Sequence, residues 1–201
     1  MNCVVRILLN TTPEQQARLQ ALQSAFAEVC NALAPTVQQT RVWNRVALHH
    51  MAYKGLRERF PALGSQMVCN AIYSVSRACR LVFQSPQSPL HLSRLGERPL
   101  PLLCFTEECP VYFDRHTLSL KAGQVSMFTL DGRMRFELAL RSEDEQAFHT
   151  RKLLEIVLQR RAGRYELSFV FAPPEPDTEG AAVLPPPVSV IPEYLRVEET
   201  A

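Results

Sequence analysis

The order of the predicted elements constrains this chain more than any other feature of its sequence. A short apolar, β-branched run from Cys3 to Leu9 is typical of a buried strand. Three helical segments follow it, and further strand-like runs begin only after a proline-rich stretch that opens at Ser85. The sequence therefore predicts an α+β fold in which one strand is separated from all the others by a helical bundle.

The three helices have recognisable starts and apolar faces. A Thr-x-x-Gln capping box begins at Thr12, and the helix that it opens is predicted to end before Pro35. A second helix is predicted from Arg41 to Arg59 and a third from Ser65 to about Phe83. In each of them, apolar residues recur at spacings of three and four. Three helices joined by short loops are expected to form an antiparallel bundle.

Turn signals punctuate the second half of the chain. Asp131-Gly132 and Ala162-Gly163 each lie between strand-like runs and are typical of hairpin turns, and a short helix is predicted to open at Ser142. Many short strands favour a barrel or a sandwich. The predicted runs are residues 102–105, 111–113, 117–120, 125–130, 134–140, 154–159 and 165–171.

Charge is distributed unevenly along the chain. Residues 1–83 carry nine Lys and Arg against three Asp and Glu, whereas residues 173–201 carry one against six. A basic front indicates a polyanionic partner. The acidic tail is rich in proline and has no periodicity, so we expect it to be mostly disordered or to dock on a partner.

The six cysteines are scattered, and most of them lie in apolar patterns. No signal peptide is recognisable and no run reaches the ~20 apolar residues of a membrane span, so we expect reduced thiols in a cytoplasmic protein. Cys104 and Cys109 miss the two-residue spacing of a zinc knuckle. His91 and His116 are too irregularly spaced from them to complete a site. We expect no metal and no other cofactor.

Several segments, taken in order, resemble TnpB, the OrfB-type transposon-encoded RNA-guided nucleases that are related to type V CRISPR effectors. The opening strand and the helix start at residues 12–15 are similar to the amino-terminal signature of this family. Residues 60–66 and the helix at 71–83 are similar to its helical segment. Residues 125–133 and 161–169 resemble strands of its wedge domain.

The resemblance covers about residues 2–172 and implies both a fold and a partner. The implied fold is an antiparallel wedge-type, oligonucleotide-binding-like β-barrel with a three-helix recognition bundle inserted after its first strand. The implied partners are a structured guide-type RNA and its target DNA. The implied boundaries are the first strand at residues 1–10, the bundle at 11–84, the remainder of the barrel at 85–172 and a Pro-rich acidic tail at 173–201.

From Pro173 onward the sequence departs from the family. There the RuvC nuclease domain of TnpB proteins opens with a Gly-Ile-Asp type motif, whereas this chain continues Pro-Glu-Pro-Asp-Thr-Glu-Gly. Two-metal cleavage of a phosphodiester needs clustered carboxylates. We therefore expect no nuclease activity from the chain alone, and a separate RuvC-type subunit that docks near residues 173–201 is a possible partner.

The residues predicted to contact nucleic acid form two groups, one on or near the second and third helices and one at the hairpin around Ala162-Gly163. Arginine pairs well with phosphate, and guanidinium and phenol planes stack on bases. The simpler alternative for each group is an ordinary solvated surface, with Tyr165 covering the barrel. The same alternative is the simpler one for Arg133 and Arg135, and Trp43 is more typical of a core residue. The predicted residues are Arg41, Arg45, Lys54, Arg57, Arg77, Arg80, Arg160, Arg161, Arg164 and Tyr165.

Two other roles are compatible with the sequence. The chain can be a protein-interaction adaptor that keeps the fold without binding RNA, with its basic face against an acidic protein. It can also be a remnant of a transposon gene.

Overall fold

The computed structural model describes residues 3–173 and 191–198 and divides them into two compact units. The first unit holds residues 3–22 and 110–173, and the second holds 23–109 and 191–198. The chain therefore passes twice through each unit. This division differs from the predicted one, since the start of the first helix groups with the strands and residues 85–109 group with the helices.

Helices and strands are mixed as the sequence predicts, and the fold is α+β. In the described residues the strands form three separate antiparallel sheets and no closed barrel, which corrects the expected barrel. The elements in chain order are β1 (Cys3–Leu8), α1 (Pro13–Thr40), α2 (Arg45–Arg59), a short 3-10 helix (Pro61–Leu63), α3 (Ser65–Phe83), α4 (Leu92–Leu95), β2 (Leu102–Phe105), β3 (Val111–Phe113), β4 (Leu118–Lys121), β5 (Gln124–Thr129), β6 (Gly132–Glu137), α5 (Ser142–Thr150), β7 (Leu153–Arg161), β8 (Arg164–Phe171) and β9 (Leu195–Glu198).

The first unit contains a four-stranded antiparallel sheet in the order β1-β8-β7-β3. Cys3 lies opposite Phe171 and Leu8 lies opposite Glu166, so the opening strand pairs with one of the last strands of the unit. Because successive side chains of a strand point to opposite faces, the apolar side chains of these strands lie together on one face of the sheet and form a core. Its buried members include Val5, Val111, Ile156, Leu158, Tyr165, Leu167, Phe169 and Phe171.

The second sheet of this unit is the meander β4-β5-β6. Ala122-Gly123 joins its first two strands, and Ala162-Gly163 joins β7 to β8; all four residues have positive φ, which a type I′ hairpin turn requires. The turn between β5 and β6 is shifted by one residue from the prediction. Thr129 pairs with Gly132, so the turn residues are Leu130 and Asp131.

The second unit is built on α2, α3 and the remainder of α1. The α3 helix runs over the predicted residues, and Trp43 is buried beside Phe83, with 5.5 Å between their ring centroids. The α1 helix does not end before Pro35 but continues to Thr40. Leu33 and Val37 on either side of Pro35 are both buried, and this packing outweighs the lost backbone hydrogen bond.

Two further boundaries differ from the prediction. The α2 helix begins at Arg45 because the Asn44 side chain accepts hydrogen bonds from the backbone N–H groups of Val46 and Ala47, at 3.0 and 3.2 Å. The tail contributes strand β9, which pairs antiparallel with β2. Leu195 of β9 is buried, so the end of the expected disordered tail is an ordered part of the second unit; residues 174–190 of that tail lie outside the described residues.

The opposite edge of β2 is satisfied by a helix side chain. Asn31 of α1 accepts a hydrogen bond from the Phe105 backbone N–H at 2.7 Å and donates one to the Phe105 carbonyl oxygen at 2.9 Å. Its amide thus takes the place of a neighbouring strand. Among the helices that the structure describes, none has the length and apolar character needed to cross a bilayer.

Candidate nucleic-acid interface

One narrow stripe of α3 reaches the surface. Twelve of the nineteen residues of this helix are buried. Most of the residues of α3 that are not buried recur, after the first residue of the helix, at spacings of three and four. This spacing places them on one side of the helix. We call this set the α3 stripe, and it consists of Gln66, Cys69, Tyr73, Arg77 and Arg80.

The neighbouring helix adds a cation and aromatic rings beside this stripe. The guanidinium carbon of Arg45 lies 5.5 Å from the centroid of the Tyr73 ring, within the range of a cation–π interaction. His49 follows one turn later and stacks on Tyr53, with ring centroids 4.5 Å apart and planes inclined by 16°. Arg45, His49 and Tyr53 lie four residues apart and therefore share one side of α2. We call this side of α2 and the α3 stripe together the helical face.

The helices that carry the helical face are strongly basic. Residues 45–83 contain six Lys and Arg and only one acidic residue, Glu58. The α3 helix contains no acidic residue at all. Arginines interleaved with Tyr and His on a positively charged surface can pair with phosphates and stack on sugars or bases.

The structure brings together only some of the predicted helical residues. Arg45, Arg77 and Arg80 belong to the helical face. Lys54 is exposed but lies nine residues after Arg45, which is about two and a half turns and therefore the opposite side of α2. Arg57 is half-buried, and its Nη1 has no hydrogen-bond partner among the described residues.

Arg41 does not belong to the helical face, and its side chain stabilises the fold instead. Its backbone is in the left-handed region, with φ of 55°. Its guanidinium donates hydrogen bonds to the carbonyl oxygens of Arg98 at 3.0 Å and Gly96 at 3.3 Å. These bonds tie the end of α1 to the loop that follows α4 and use two of the five N–H donors of the guanidinium.

The second predicted group lies in the first unit, at the β7–β8 hairpin. Arg161 and Arg164 are exposed and directly opposite each other across the turn, where like charges destabilise a strand pair. Arg161 donates a hydrogen bond to the Gln159 side chain at 3.2 Å. An anion bound between the two guanidinium groups would relieve their repulsion, so the charge of this hairpin tip suits a second phosphate contact.

Tyr165 does not belong to that contact. Its side chain is fully buried, on the core face of the sheet, so its ring is inaccessible to a base. This burial favours the simpler alternative, in which Tyr165 covers the strands and contacts no ligand. Arg160 lies opposite Tyr165 and is half-buried on the same face, so its surroundings differ from those of Arg161 and Arg164.

Three thiols of the second unit are poorly suited to metal or nucleophilic chemistry. Burial raises the pKa of Cys79 to about 12, and burial together with neighbouring Cys109 raises the pKa of Cys30. Burial and the Glu198 carboxylate raise the pKa of Cys104. Thiolates are therefore disfavoured at these positions. In the part of the chain that the structure describes, no three or more His, Cys, Asp or Glu side chains are grouped to hold a metal ion.

The outer face of the β4-β5-β6 sheet offers more for ligand binding than the sequence predicts. Arg133 and Arg135 share the outer face of the β4-β5-β6 sheet, and their strand partners on that face are Phe128 and Ser126. The alternation of polar and apolar residues along β6 is enough to predict that both arginines share one face. The partner residues were not visible, because they depend on the pairing of β5 with β6.

The exposed arginines of these surfaces carry the charge that a polyanionic ligand requires. No protein-family model and no curated protein matches this chain. The choice of ligand therefore depends on the chemistry of the exposed side chains.

Proposed function

We propose that this protein binds a structured RNA through the helical face. The observation that carries the proposal is the α3 stripe, where Tyr73 is followed by Arg77 and Arg80 on the only extended surface of a largely buried helix. Arg45 lies over the Tyr73 ring from the neighbouring helix. A helix surface of this kind holds several cations at fixed spacing, which suits the regular phosphates of a folded RNA.

The physical basis of binding is electrostatic. Each arginine that neutralises a phosphate releases condensed counterions, so affinity falls as salt rises. Arginine also forms paired hydrogen bonds with phosphate oxygens that lysine cannot form. The basic character of residues 45–83 gives the helical face the required sign, and the Arg161–Arg164 hairpin tip supplies a further phosphate contact in the first unit.

The resemblance to TnpB proteins supports RNA as the polyanion and extends the proposal. In this wider form the chain is a nuclease-less TnpB-like module with a wedge-type fold in its first unit. Its ligand is a guide-type RNA, with target DNA as a second ligand. A separate RuvC-type nuclease chain would dock near residues 173–201 and supply the catalytic carboxylates.

Titration of a fluorescein-labelled RNA hairpin with the full chain, followed by fluorescence anisotropy at several salt concentrations, tests the proposal. The Arg45→Gln/Arg80→Gln double variant should bind at least roughly tenfold more weakly, because a hydrogen bond to a charged group contributes about 1.5–3 kcal/mol. The slope of log affinity against log salt should become shallower by about two.

A matched control separates a site from general charge. Lys54→Gln/Lys152→Gln also removes two positive charges, but from exposed residues that do not belong to the helical face. It should retain most of the affinity. Equal losses in both double variants would overturn the assignment to the helical face. Failure of the wild-type protein to bind RNA hairpins at low salt would overturn the binding of a structured RNA through the helical face.

A further inference from the structure

The outer face of the β4-β5-β6 sheet carries an aromatic ring among cations. Along β5 and β6, alternate side chains point into the core of the first unit, and Met127 and Met134 are both buried there. The residues that alternate with these buried residues along β5 and β6 point away from the core and reach solvent to different degrees. We call four of these outward residues the sheet platform: Ser126, Phe128, Arg133 and Arg135.

Strand pairing sets these four side chains in a compact square. Phe128 lies directly opposite Arg133, and Ser126 lies directly opposite Arg135. Side chains at directly opposite positions of an antiparallel pair have Cβ atoms about 4.5–5.5 Å apart. The ring of Phe128 and the two guanidinium groups are therefore neighbours on one surface.

Arg133 is held in position by the protein itself. Its Nε donates a hydrogen bond to the Ser126 hydroxyl at 2.8 Å, and its Nη2 donates one to the Ser126 carbonyl at 2.9 Å. Its Nη1 lies 3.4 Å from the His116 carbonyl oxygen. A guanidinium has five N–H donors, so further donors remain for a ligand. An ordered side chain also loses less conformational entropy when a ligand binds.

Phe128 lies on the outward face of the sheet and is half-buried, so part of its ring is open to solvent. The part of the ring that reaches solvent lies among cations. A nucleobase is a flat partner for such a ring, and the attached phosphates match the charge of Arg133 and Arg135. The acidic residue of the same face, Glu137, pairs with Gln124 at the far end of the strands, away from Phe128.

We propose that the sheet platform binds an unpaired nucleotide segment. The Phe128 ring stacks on one base, Arg133 and Arg135 contact the adjoining phosphates, and Ser126 orients Arg133. The ligand class is single-stranded, because the base faces of a duplex are already stacked and cannot lie on a side-chain ring. This inference rests on the proposed function and adds the class of ligand that the first unit recognises.

Binding of a fluorescein-labelled twelve-nucleotide oligouridylate to the full chain tests this inference. Uridylate is the probe because it forms no stable secondary structure. Phe128→Leu keeps an apolar side chain but removes the aromatic ring. It should weaken oligouridylate binding by roughly 5- to 150-fold, the usual range for loss of one base stack. Its affinity for the RNA hairpin should stay within about twofold of the wild type, because the sheet platform and the helical face have no residue in common.

Phe128→Trp gives a direct signature of stacking. It should retain oligouridylate binding, and its indole fluorescence should be quenched on saturation. The wild-type protein, whose only tryptophan is the buried Trp43, serves as the control. Wild-type affinity in Phe128→Leu, or an unquenched indole at saturation, would overturn the platform.

The outcomes distinguish this inference from the proposed function. If the wild-type protein binds the hairpin but not oligouridylate, the sheet platform is wrong and the helical face stands. If it binds oligouridylate through Phe128 but not the hairpin, the helical face is wrong, and the platform stands as an independent single-strand site. If it binds neither probe, both proposals fail.

Discussion

The α3 stripe and the sheet platform present arginine and an aromatic ring on different scaffolds. On α3 the outward residues recur every three or four positions, and Ile72 beside Tyr73 is buried. On β5 they recur every second position, and Met127 beside Phe128 is buried. In both regions a candidate ligand contact and a core residue are sequence neighbours. The lesson is that the period of the element, and not proximity along the chain, separates recognition from stability.

The two scaffolds differ in what fixes the outward face. The face of a helix follows from its own repeat, so the α3 stripe depends on local geometry. The face of a strand depends also on register, because a slip by one residue exchanges buried and outward positions. The platform therefore relies on the Ala122-Gly123 turn and on the pairing of Thr129 with Gly132.

The largest effects should come from the core members of each neighbouring pair. Ile72→Ala and Met127→Ala should each lower the free energy of unfolding by about 2–5 kcal/mol, because each deletes buried apolar volume. Arg80→Gln and Arg135→Gln should change it by less than about 0.5 kcal/mol. Urea denaturation followed by circular dichroism measures all four. A comparable loss in the arginine variants would show that these arginines support the fold.

Two cysteines of α3 extend the comparison to reactivity. Cys69 lies in the α3 stripe, whereas Cys79 is buried and has a pKa of about 12. At pH 8 the thiolate fraction of Cys79 is on the order of 10⁻⁴, and burial also keeps a reagent away from its sulfur. Iodoacetamide labelling with mass spectrometry should therefore modify Cys69 far faster than Cys79.

A bound RNA hairpin should then slow the labelling of Cys69. Cys3 of β1 is also partly exposed but belongs to the first unit, and it provides the reference thiol. Protection of Cys69 without protection of Cys3 supports the helical face. Equal protection of both, or of neither, would argue against a ligand on the α3 stripe.

A smaller effect should come from the turn that sets the register of the platform. Ala122 has φ of 47°, which costs an alanine more than an asparagine, and Asn-Gly is the favoured type I′ sequence. Ala122→Asn should stabilise the protein by about 0.5–1 kcal/mol. Thermal unfolding measures it, with the exposed Ala139→Asn as a control for asparagine itself. A lower melting temperature in Ala122→Asn would contradict the strain at this turn.

The smallest effect should come from an ion pair outside both surfaces. At the start of α5, Arg141 Nε donates to Asp144 Oδ2 at 2.9 Å, and this hydrogen bond holds the pKa of Asp144 below its usual value. A lowered folded-state pKa stabilises the protein above the unfolded pKa of about 4, and this contribution is lost as pH falls further.

Asp144→Asn removes that contribution. The difference in unfolding free energy between wild type and variant should be small at pH 7, because the pair is solvated, and it should vanish as pH falls through the acidic range. Urea titrations at a series of pH values measure it. A difference that grows on acidification would mean that the carboxylate destabilises the fold.

The helical part of the fold was the most predictable from the sequence. The capping box at Thr12 is present, with hydrogen bonds of 3.0 and 3.2 Å to and from Gln15. These signals are local, so the sequence contains them in full. Pro35 was misread because its helical position is maintained by packing, and packing partners lie far away in the sequence.

Non-local pairing explains the other differences. Strand β9 has few strand-like features and is ordered by β2, about ninety residues earlier in the chain. The sequence predicts a ligand contact for Tyr165 because three arginines lie in the same hairpin, yet strand alternation turns its side chain inward. For Arg133 and Arg135, the sequence shows a shared face but does not show that Phe128 lies opposite.

The alternation of the chain between its two units has a consequence for synthesis on the ribosome. Strand β1 emerges first, but its partner residues 166–171 come almost at the end of the first unit. At translation rates of about 5–20 residues per second, β1 waits on the order of ten seconds or longer for its partner. During that interval the Val5 side chain, which is buried in the finished sheet, has no partner strand to cover it, so newly made chains should be most dependent on chaperones before β8 emerges.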